Sequence, residues 1–325
     1  MSDTQRKTIE IYQRLNSANA MVHSYRAAMK LGIFETLCEG QLTATQIAEK
    51  LSLASEPVAL LLDQLCETGF VEKYAEDYAM SVLGKMLPKQ FAQLGEDYWS
   101  HLLDWVKTGE RPVDKGSLID STDFGIESIA LEWMGTPNAL DLIEVMNVGK
   151  SRLGMHVVDL SCGSGIFGAA MAYQDKDLKI TFVDTAENLE RAKSTAESIE
   201  VMDRSRFVTA DPVSFVSQNP FDLVVIANRC SKMSDEQVAS MFRSVAKNLK
   251  KTGELAVVDH FSEQKDAFVN RTKAIELQLR TSDGKLRSKK EMTEILYANG
   301  FCDAMYSNLK SPPGTHGVLV AGKIT

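Results

Sequence analysis

From about residue 153 onward, short apolar runs alternate with segments whose apolar residues recur every three to four positions. The runs predict strands at His156–Leu160, Ile180–Asp184, Arg206–Thr209, Leu223–Ala227, Leu255–Asp259 and Gly317–Ala321. The periodic segments predict helices at Ile166–Tyr173, Asn188–Glu200, Asp235–Leu249 and Lys289–Asn299. Strands spaced by helices imply a parallel, doubly wound α/β sheet. Residues 4–90 follow another pattern. Ile9, Tyr12, Leu15 and Ala18–Ala20 form a helical stripe, and a further helical stretch runs from His23 to Leu37 with Gly32 as its break. Thr43 can cap the helix that follows it and Ser55 the next, which has Pro57 in its first turn and Gly69 beyond its end. Phe70–Tyr74 and Tyr78–Met80 then read as a hairpin, completing a winged helix. Residues 91–148 read as helical connectors that hold Trp99, Trp105 and Trp133 with Tyr98, His101, Phe124 and Met134. Most of these rings are expected to be core, with some facing a pocket.

Charge narrows the function classes. The chain has 325 residues and a formal net charge of −8, so it has no general attraction to phosphate backbones. The helix that would read DNA, Ser55 to Thr68, has no Lys or Arg and carries Glu56, Asp63 and Glu67. Nucleic acid is therefore not an expected partner. No apolar run approaches the roughly 20 residues that span a bilayer, and the N-terminus has no apolar signal core. The five cysteines (Cys38, Cys66, Cys162, Cys230, Cys302) are widely spaced, and none forms a CxxC pair. Neither a metal site nor a disulfide framework is indicated, and reduced thiols in a cytoplasmic protein are the expectation.

The richest chemistry lies in His156–Gly168, HVVDLSCGSGIFG, and in ITFVD at 180–184. An apolar strand ends in Asp159, a glycine-bearing turn follows, and after a helix a second strand ends in Asp184. This is the opening βαβ of a nucleotide-binding sheet. Gly163 and Gly165 let the backbone approach a ligand, and the next helix N-terminus offers N–H groups to a carboxylate. Asp159 can organise an ammonium end, directly or through water. Asp184 is placed for ribose hydroxyls, and Asp211 with Pro212 for the adenine ring. Acids at three successive strand ends fall on the ligand edge of an open α/β sheet and point to S-adenosylmethionine.

With these residues in place, the chain resembles the two-domain, small-molecule class I S-adenosylmethionine-dependent O-methyltransferases. Further motifs carry the likeness: Trp99–Pro112 is similar to a W…L…TG…P connector, DLVVIANRCSKMSD at 222–235 to the fourth strand and its loop, LKKTGELAVVD at 249–259 to the fifth-strand entry, and RSKKEMTEILYANGF at 287–301 to the closing R…E…L…AGF segment. The resemblance implies a Rossmann-like sheet behind a mainly helical winged-helix dimerisation domain, over residues 1–98, 99–150 (connector) and 151–325. It also implies a homodimer and a small-molecule methyl acceptor. Carried over by position, Asp159, Ser161, Cys162, Gly163, Gly165, Asp184, Thr185, Asp211, Pro212 and Ala227 fall on cofactor positions. Ser161 replaces the family's first glycine, a change that is tolerable if its φ is ordinary. Ala227 replaces a Lys or Arg, which passes that contact to the backbone, Asn228 or Arg229.

The largest departure is the catalytic base. The family places a His where this chain has Ser231. A phenol of pKa about 10 is roughly one-thousandth ionised at pH 7, worth about 4 kcal/mol. A positioned base contributes about 10²- to 10⁴-fold, and alignment of the reacting atoms about 7–11 kcal/mol. Transfer is slowed without His, not forbidden, and least for an acceptor already anionic. His260, just past the fifth strand, lies on the correct sheet edge, and His101 on the connector is the other histidine to weigh. Lys232 could supply positive charge, while Glu276 and Glu291 are expected on helix surfaces. Two classes of function remain: a methyltransferase driven mainly by proximity, and a cofactor-binding dimeric protein without methyl transfer or with altered chemistry.

Overall fold

The computed structural model describes residues 2–86, 95–113, 135–263, 266–310 and 316–324. Phe124, Trp133 and Met134 of the expected pocket lie outside them. The chain divides into two compact units, Met1–Glu96 and Asp97–Thr325.

In the first unit, α1 (Asp3–Lys30) is one 28-residue helix, opened by a Ser2–Gln5 capping box. Gly32, in the left-handed region, separates it from α2 (Ile33–Cys38). The strand β1 (Leu42–Thr43) leads into α3 (Ala44–Leu51), whose N-terminus is closed by a Thr43–Gln46 capping box. The N-cap of α4 (Ser55–Glu67) is Ala54, not Ser55, whose hydroxyl instead pairs with that of Thr45 at 3.2 Å. The hairpin β2 (Val71–Tyr74) and β3 (Asp77–Met80) completes a three-stranded sheet in the order β1-β3-β2. Tyr25, Ile33, Leu37, Ile47, Leu62 and Val71 fill its core. The stripe on the first half of α1 is not core within this chain: Ile9, Tyr12 and Leu15 are exposed. A short helix α5 (Val82–Met86) follows β3.

The second unit opens with the short helices α6 (Glu96–Trp99) and α7 (Leu102–Thr108) and a helix α8 over 135–146. A seven-stranded sheet follows, built from β4 (His156–Leu160), β5 (Lys179–Asp184), β6 (Ser205–Thr209), β7 (Phe221–Ala227), β8 (Leu249–His260), β9 (Phe301–Asn308) and β10 (His316–Lys323). Its order is β6-β5-β4-β7-β8-β10-β9. The pairs from β6 to β8 are parallel, whereas β10 runs antiparallel to both β8 and β9. The sheet is thus mixed, not wholly parallel, because β9 and β10 form an antiparallel pair whose second strand inserts beside β8. Strand side chains alternate faces. Val157, Leu223, Val225 and Val258 pack in one core with α8, α9 (Ile166–Gln174) and α10 (Ala186–Ser198). Val158, Val224, Ile226 and Val257 pack in the other with α11 (Asp235–Asn248) and α13 (Lys289–Ala298). The remaining helix, α12 (Ala267–Arg280), lies between β8 and α13 in the chain.

No helix among the described residues is long and apolar enough to cross a membrane. Among them, no group of three or more His, Cys, Asp or Glu is arranged to hold a metal ion.

Candidate active site

The parallel strands β4, β5 and β7 end at one edge, where Asp159, the glycine turn and Asp184 meet. The turn after β4 is pinned by backbone bonds from Ser161 and Cys162 to the Val183 carbonyl on β5. It closes with Gly165, the left-handed N-cap of α9. Ser161 also lies at a φ of 61°, so its replacement of glycine is not conformationally free. A residue with a Cβ pays about 1–2 kcal/mol there. Ser161, Cys162, Gly163 and Ser164 form one wall of a narrow, open cleft with about 40 Å³ of accessible space. Ile166, Phe167, Ala227, Asn228, Arg229 and Lys232 form the rest.

Each predicted carboxylate has a definite setting. Asp159 shares its strand face with Val157 and is buried beneath α9, where Oδ2 accepts the Gly168 N–H at 2.9 Å. Burial pushes its carboxyl up to about 7, against the Gly168 bond and with a smaller push from Asp184. Asp184 closes the turn: Oδ2 accepts the Gly163 N–H at 2.9 Å, and Oδ1 accepts from the Thr185 N–H and the Asn188 amide. Asn188, one turn into α10, is a support that spacing alone did not single out. Thr185 itself serves as the N-cap of α10. Asp211 is exposed, and its two oxygens accept from the Val213 N–H and the Ser214 hydroxyl, while Pro212 is buried. Asp211 still belongs to this edge. The guanidinium of Arg229 feels the charge of both Asp184 and Asp211, although burial is the larger influence and draws its pKa below the usual arginine range.

The base position is built differently. Ser231 is buried in a 3₁₀ turn, Cys230–Lys232, and its N–H and hydroxyl both donate to Asp259 at the end of β8. Burial raises the Asp259 carboxyl, and these bonds oppose it. Arg287, 1% exposed, clamps the turn from the far side by donating to the Cys230 and Met233 carbonyls and to Asp235. His260 is half-buried, and its backbone N–H joins the shell of Asp259. His101 is exposed, and Glu291 caps α13 through Ser288. Glu276 is not on an open helix surface. It pairs with Lys273 and Arg280 on α12, which hold its carboxyl below its usual range against the upward push of burial.

The two glycines of the turn give a test that separates fold from ligand. A Cβ on Gly163 meets nothing within 4 Å, whereas one on Gly165 comes within 2.9 Å of the Ala192 side chain and 3.0 Å of Phe182. Gly163→Ala is expected to cost about 1–2 kcal/mol of stability from its positive φ and to weaken cofactor binding disproportionately, because its methyl adds to the cleft wall. Gly165→Ala adds overpacking of about 1–3 kcal/mol to the same strain. Urea unfolding and calorimetric titration of each variant check the contrast.

A 3-2-1-4-5-7-6 sheet, read by position within the unit, with a glycine turn and acids at its carboxyl edge, is the class I methyltransferase arrangement. Residues 16–89 match the family "O-methyltransferase dimerisation domain", and residues 140–281 match "Methyltransferase small domain". The chain is similar to O-methyltransferase SfmM3 of Streptomyces lavendulae, 23% identical over 71% of this chain and 74% of that protein. It is similar also to a mitomycin biosynthesis 6-O-methyltransferase of the same organism, 22% identical over 84% and 83%. Among solved structures, human N-acetylserotonin methyltransferase in complex with S-adenosylmethionine shares the fold at a TM-score of 0.80, with 16% identity and all of both chains covered. Mitomycin 7-O-methyltransferase MmcR does so at 0.77, with 20% identity over 98% and 99%. The chain belongs to the two-domain class I S-adenosylmethionine-dependent O-methyltransferase family, whose cofactor is S-adenosylmethionine.

The residues present fit that cofactor. The open position at Gly163 gives the cradle, the α9 N-terminus gives amide donors for a carboxylate, and Asp184 keeps about one acceptor site for a hydroxyl group beyond its three bonds.

Proposed function

We propose that this protein transfers a methyl group from S-adenosylmethionine to a small-molecule acceptor, an oxygen nucleophile before others, as a homodimer. One observation carries the reading: the glycine turn, Asp159 and Asp184 meet at one sheet edge within a two-domain methyltransferase chain. The bound cofactor supplies an electrophilic methyl on a sulfonium. Asp184 orients the ribose through its carboxylate, and the amides of the turn and α9 bind the amino-acid carboxylate. Asp159, beneath α9, favours a cationic ligand above it by its own ionisation. Cys162, Ala227 and the neighbouring Asn228 and Arg229 shape the cleft. Ser231 does not take the acceptor's proton, since its hydroxyl is buried and committed to Asp259. The connector supports the acceptor side: the Arg111 guanidinium donates to the Thr281 and Gly284 carbonyls, and Arg280 stacks on the Tyr98 ring at 5.0 Å.

The exposed Ile9, Tyr12 and Leu15 of α1 support a second copy as partner, and a solution mass equal to one chain would count against it. Five free cysteines support a reducing compartment, the cytoplasm, which cell fractionation checks.

The catalytic reading is tested by incubating the protein with methyl-labelled S-adenosylmethionine and a panel of phenols, alcohols, amines and thiols. The expected product gains one methyl in place of one hydrogen. The setting of Ser231 favours one other reading, a cofactor-binding protein without transfer. Turnover that appears only in Ser231→His, with cofactor binding in the parent, would establish that alternative.

A further inference from the structure

The ends of β7 and β8 and the start of β10 hold a polar cluster that borders the cofactor cleft through Asn228 and whose histidines have no role in holding the cofactor. β10 is antiparallel to β8, so its first residue, His316, pairs in register with the last residue of β8, His260. Their rings lie 4.0 Å apart between centroids, tilted by 39°. The same edge carries Asn228, just past β7, whose N–H is held by the Val258 carbonyl. Asn228 sits in the left-handed region at φ 55°, a conformation that asparagine tolerates better than most residues.

The ring nitrogens of His316 are both engaged. Nε2 lies 2.8 Å from Asn228 Oδ1, and Nδ1 lies 3.2 Å from Asn138 Nδ2 on α8. An amide oxygen only accepts and an amide nitrogen only donates, so Nε2 must carry the proton and Nδ1 must be bare. The two asparagines thus select one neutral tautomer, and a second proton on Nδ1 would face the Asn138 donor. Desolvation and, behind it, the charge of Lys273 pull the His316 imidazolium down to about 4, in agreement with that bonding. Among the described residues, Lys273 on α12, paired with Glu276, is the charge that acts on His316, and Asp259 on β8 accepts the His260 backbone N–H.

We propose that His260 accepts the acceptor's proton during methyl transfer and that His316, locked neutral by Asn138 and Asn228, is its positioning residue. In the balanced step, the acceptor's heteroatom–hydrogen bond breaks as its bond to the methyl carbon forms, and the methyl's bond to sulfur breaks with its electron pair left on a neutral thioether. The proton passes to the His260 imidazole and from there to water. A neutral neighbour matters because two stacked imidazolium rings would repel, and His260 must be able to hold the proton. The pair takes over the role that position 231 cannot fill. The proposal rests on methyl transfer as proposed above and goes beyond it in assigning the proton.

The test is a pH titration of the histidine ring signals by NMR on the full-length protein without ligand. His316 is expected to stay in the Nε2–H form from pH 5 to 8 while His260 titrates. Asn228→Asp places a carboxylate on Nε2, so His316 is expected to begin titrating in that range and the His260 midpoint to fall. With an acceptor identified by the labelled panel, His260→Gln is expected to lower kcat about 10²-fold and remove the acidic limb of its pH profile. His316→Gln is expected to shift that limb with little change in KM. A wild-type His316 that titrates near 6.5, a His260 that does not titrate, or an unchanged profile in His260→Gln overturns the proposal. The titration needs neither cofactor nor acceptor. Its failure is therefore distinguishable from a failure of methyl transfer, and if no acceptor is found the titration alone decides the pair.

Discussion

Asp159→Asn is expected to stabilise the cofactor-free protein at pH 8 while weakening S-adenosylmethionine binding. Burial pushes the carboxyl up to about 7 in the folded chain, from an ordinary value of 3.8. An acid whose folded pKa is raised binds its proton more tightly when folded, so ionisation opposes folding. The cost is absent below the unfolded pKa, grows as pH rises from about 4 to 7, and is complete above that. About three pH units correspond to about 4 kcal/mol, an upper bound for the gain on removing the charge. Urea unfolding at pH 5 and pH 8 checks it: the wild type loses stability across this interval and the variant loses less. The ligand responds in the opposite sense. A cation above α9 favours the ionised form, so affinity in the wild type should rise as pH passes through 7, and the variant should lack that rise.

Arg287→Met is expected to destabilise the fold by about 2–6 kcal/mol, about 1–3 kcal/mol for each of two buried carbonyls left without a donor, while the half-exposed Asp235 is taken up by water. Its guanidinium donates to the Cys230 carbonyl at 2.6 Å, the Met233 carbonyl at 2.7 Å and Asp235 at 2.8 Å. Methionine matches the volume but leaves both buried carbonyls without a donor. Arg287→Lys should recover only part of the loss, because one ammonium cannot reproduce the planar three-way geometry. Denaturant midpoints measure both variants. The turn released, Cys230–Lys232, carries one side of the cofactor cleft, so weaker cofactor binding should accompany the loss of stability.

Much of this architecture can be read directly in the residues. The strands β4, β5 and β7 are continuous apolar runs because both faces are covered, and they fall within two residues of their predicted starts. Glycine-bearing turns and acids at strand ends are local signals, which is why Asp159, Gly163 and Asp184 were legible. β9 was not, since it is an edge strand whose sequence, FCDAMYSN, is interrupted by Asp303 and ends in Ser307 and Asn308, with only Phe301 buried. α12 was hidden by its polar composition, and half of β8 by the KKTGE stretch, which pairs only after an irregularity beside Phe221. His316 gave no signal at all. It reaches His260 only through the antiparallel pairing of β10 with β8, a long-range contact that no spacing encodes. Ser161 was readable as a substitution, but its left-handed φ was not.

The account depends on carboxylates at the ends of β4 and β5 holding an adenosyl sulfonium in the cleft beside the glycine turn. Isothermal titration of the folded wild type with S-adenosylmethionine, beside Asp184→Ala, addresses this most directly. Saturable heat in the wild type, with affinity at least about tenfold weaker in the variant through loss of charged hydrogen bonds, is the predicted result. Absence of heat in the wild type, or equal affinity in the variant, would contradict it.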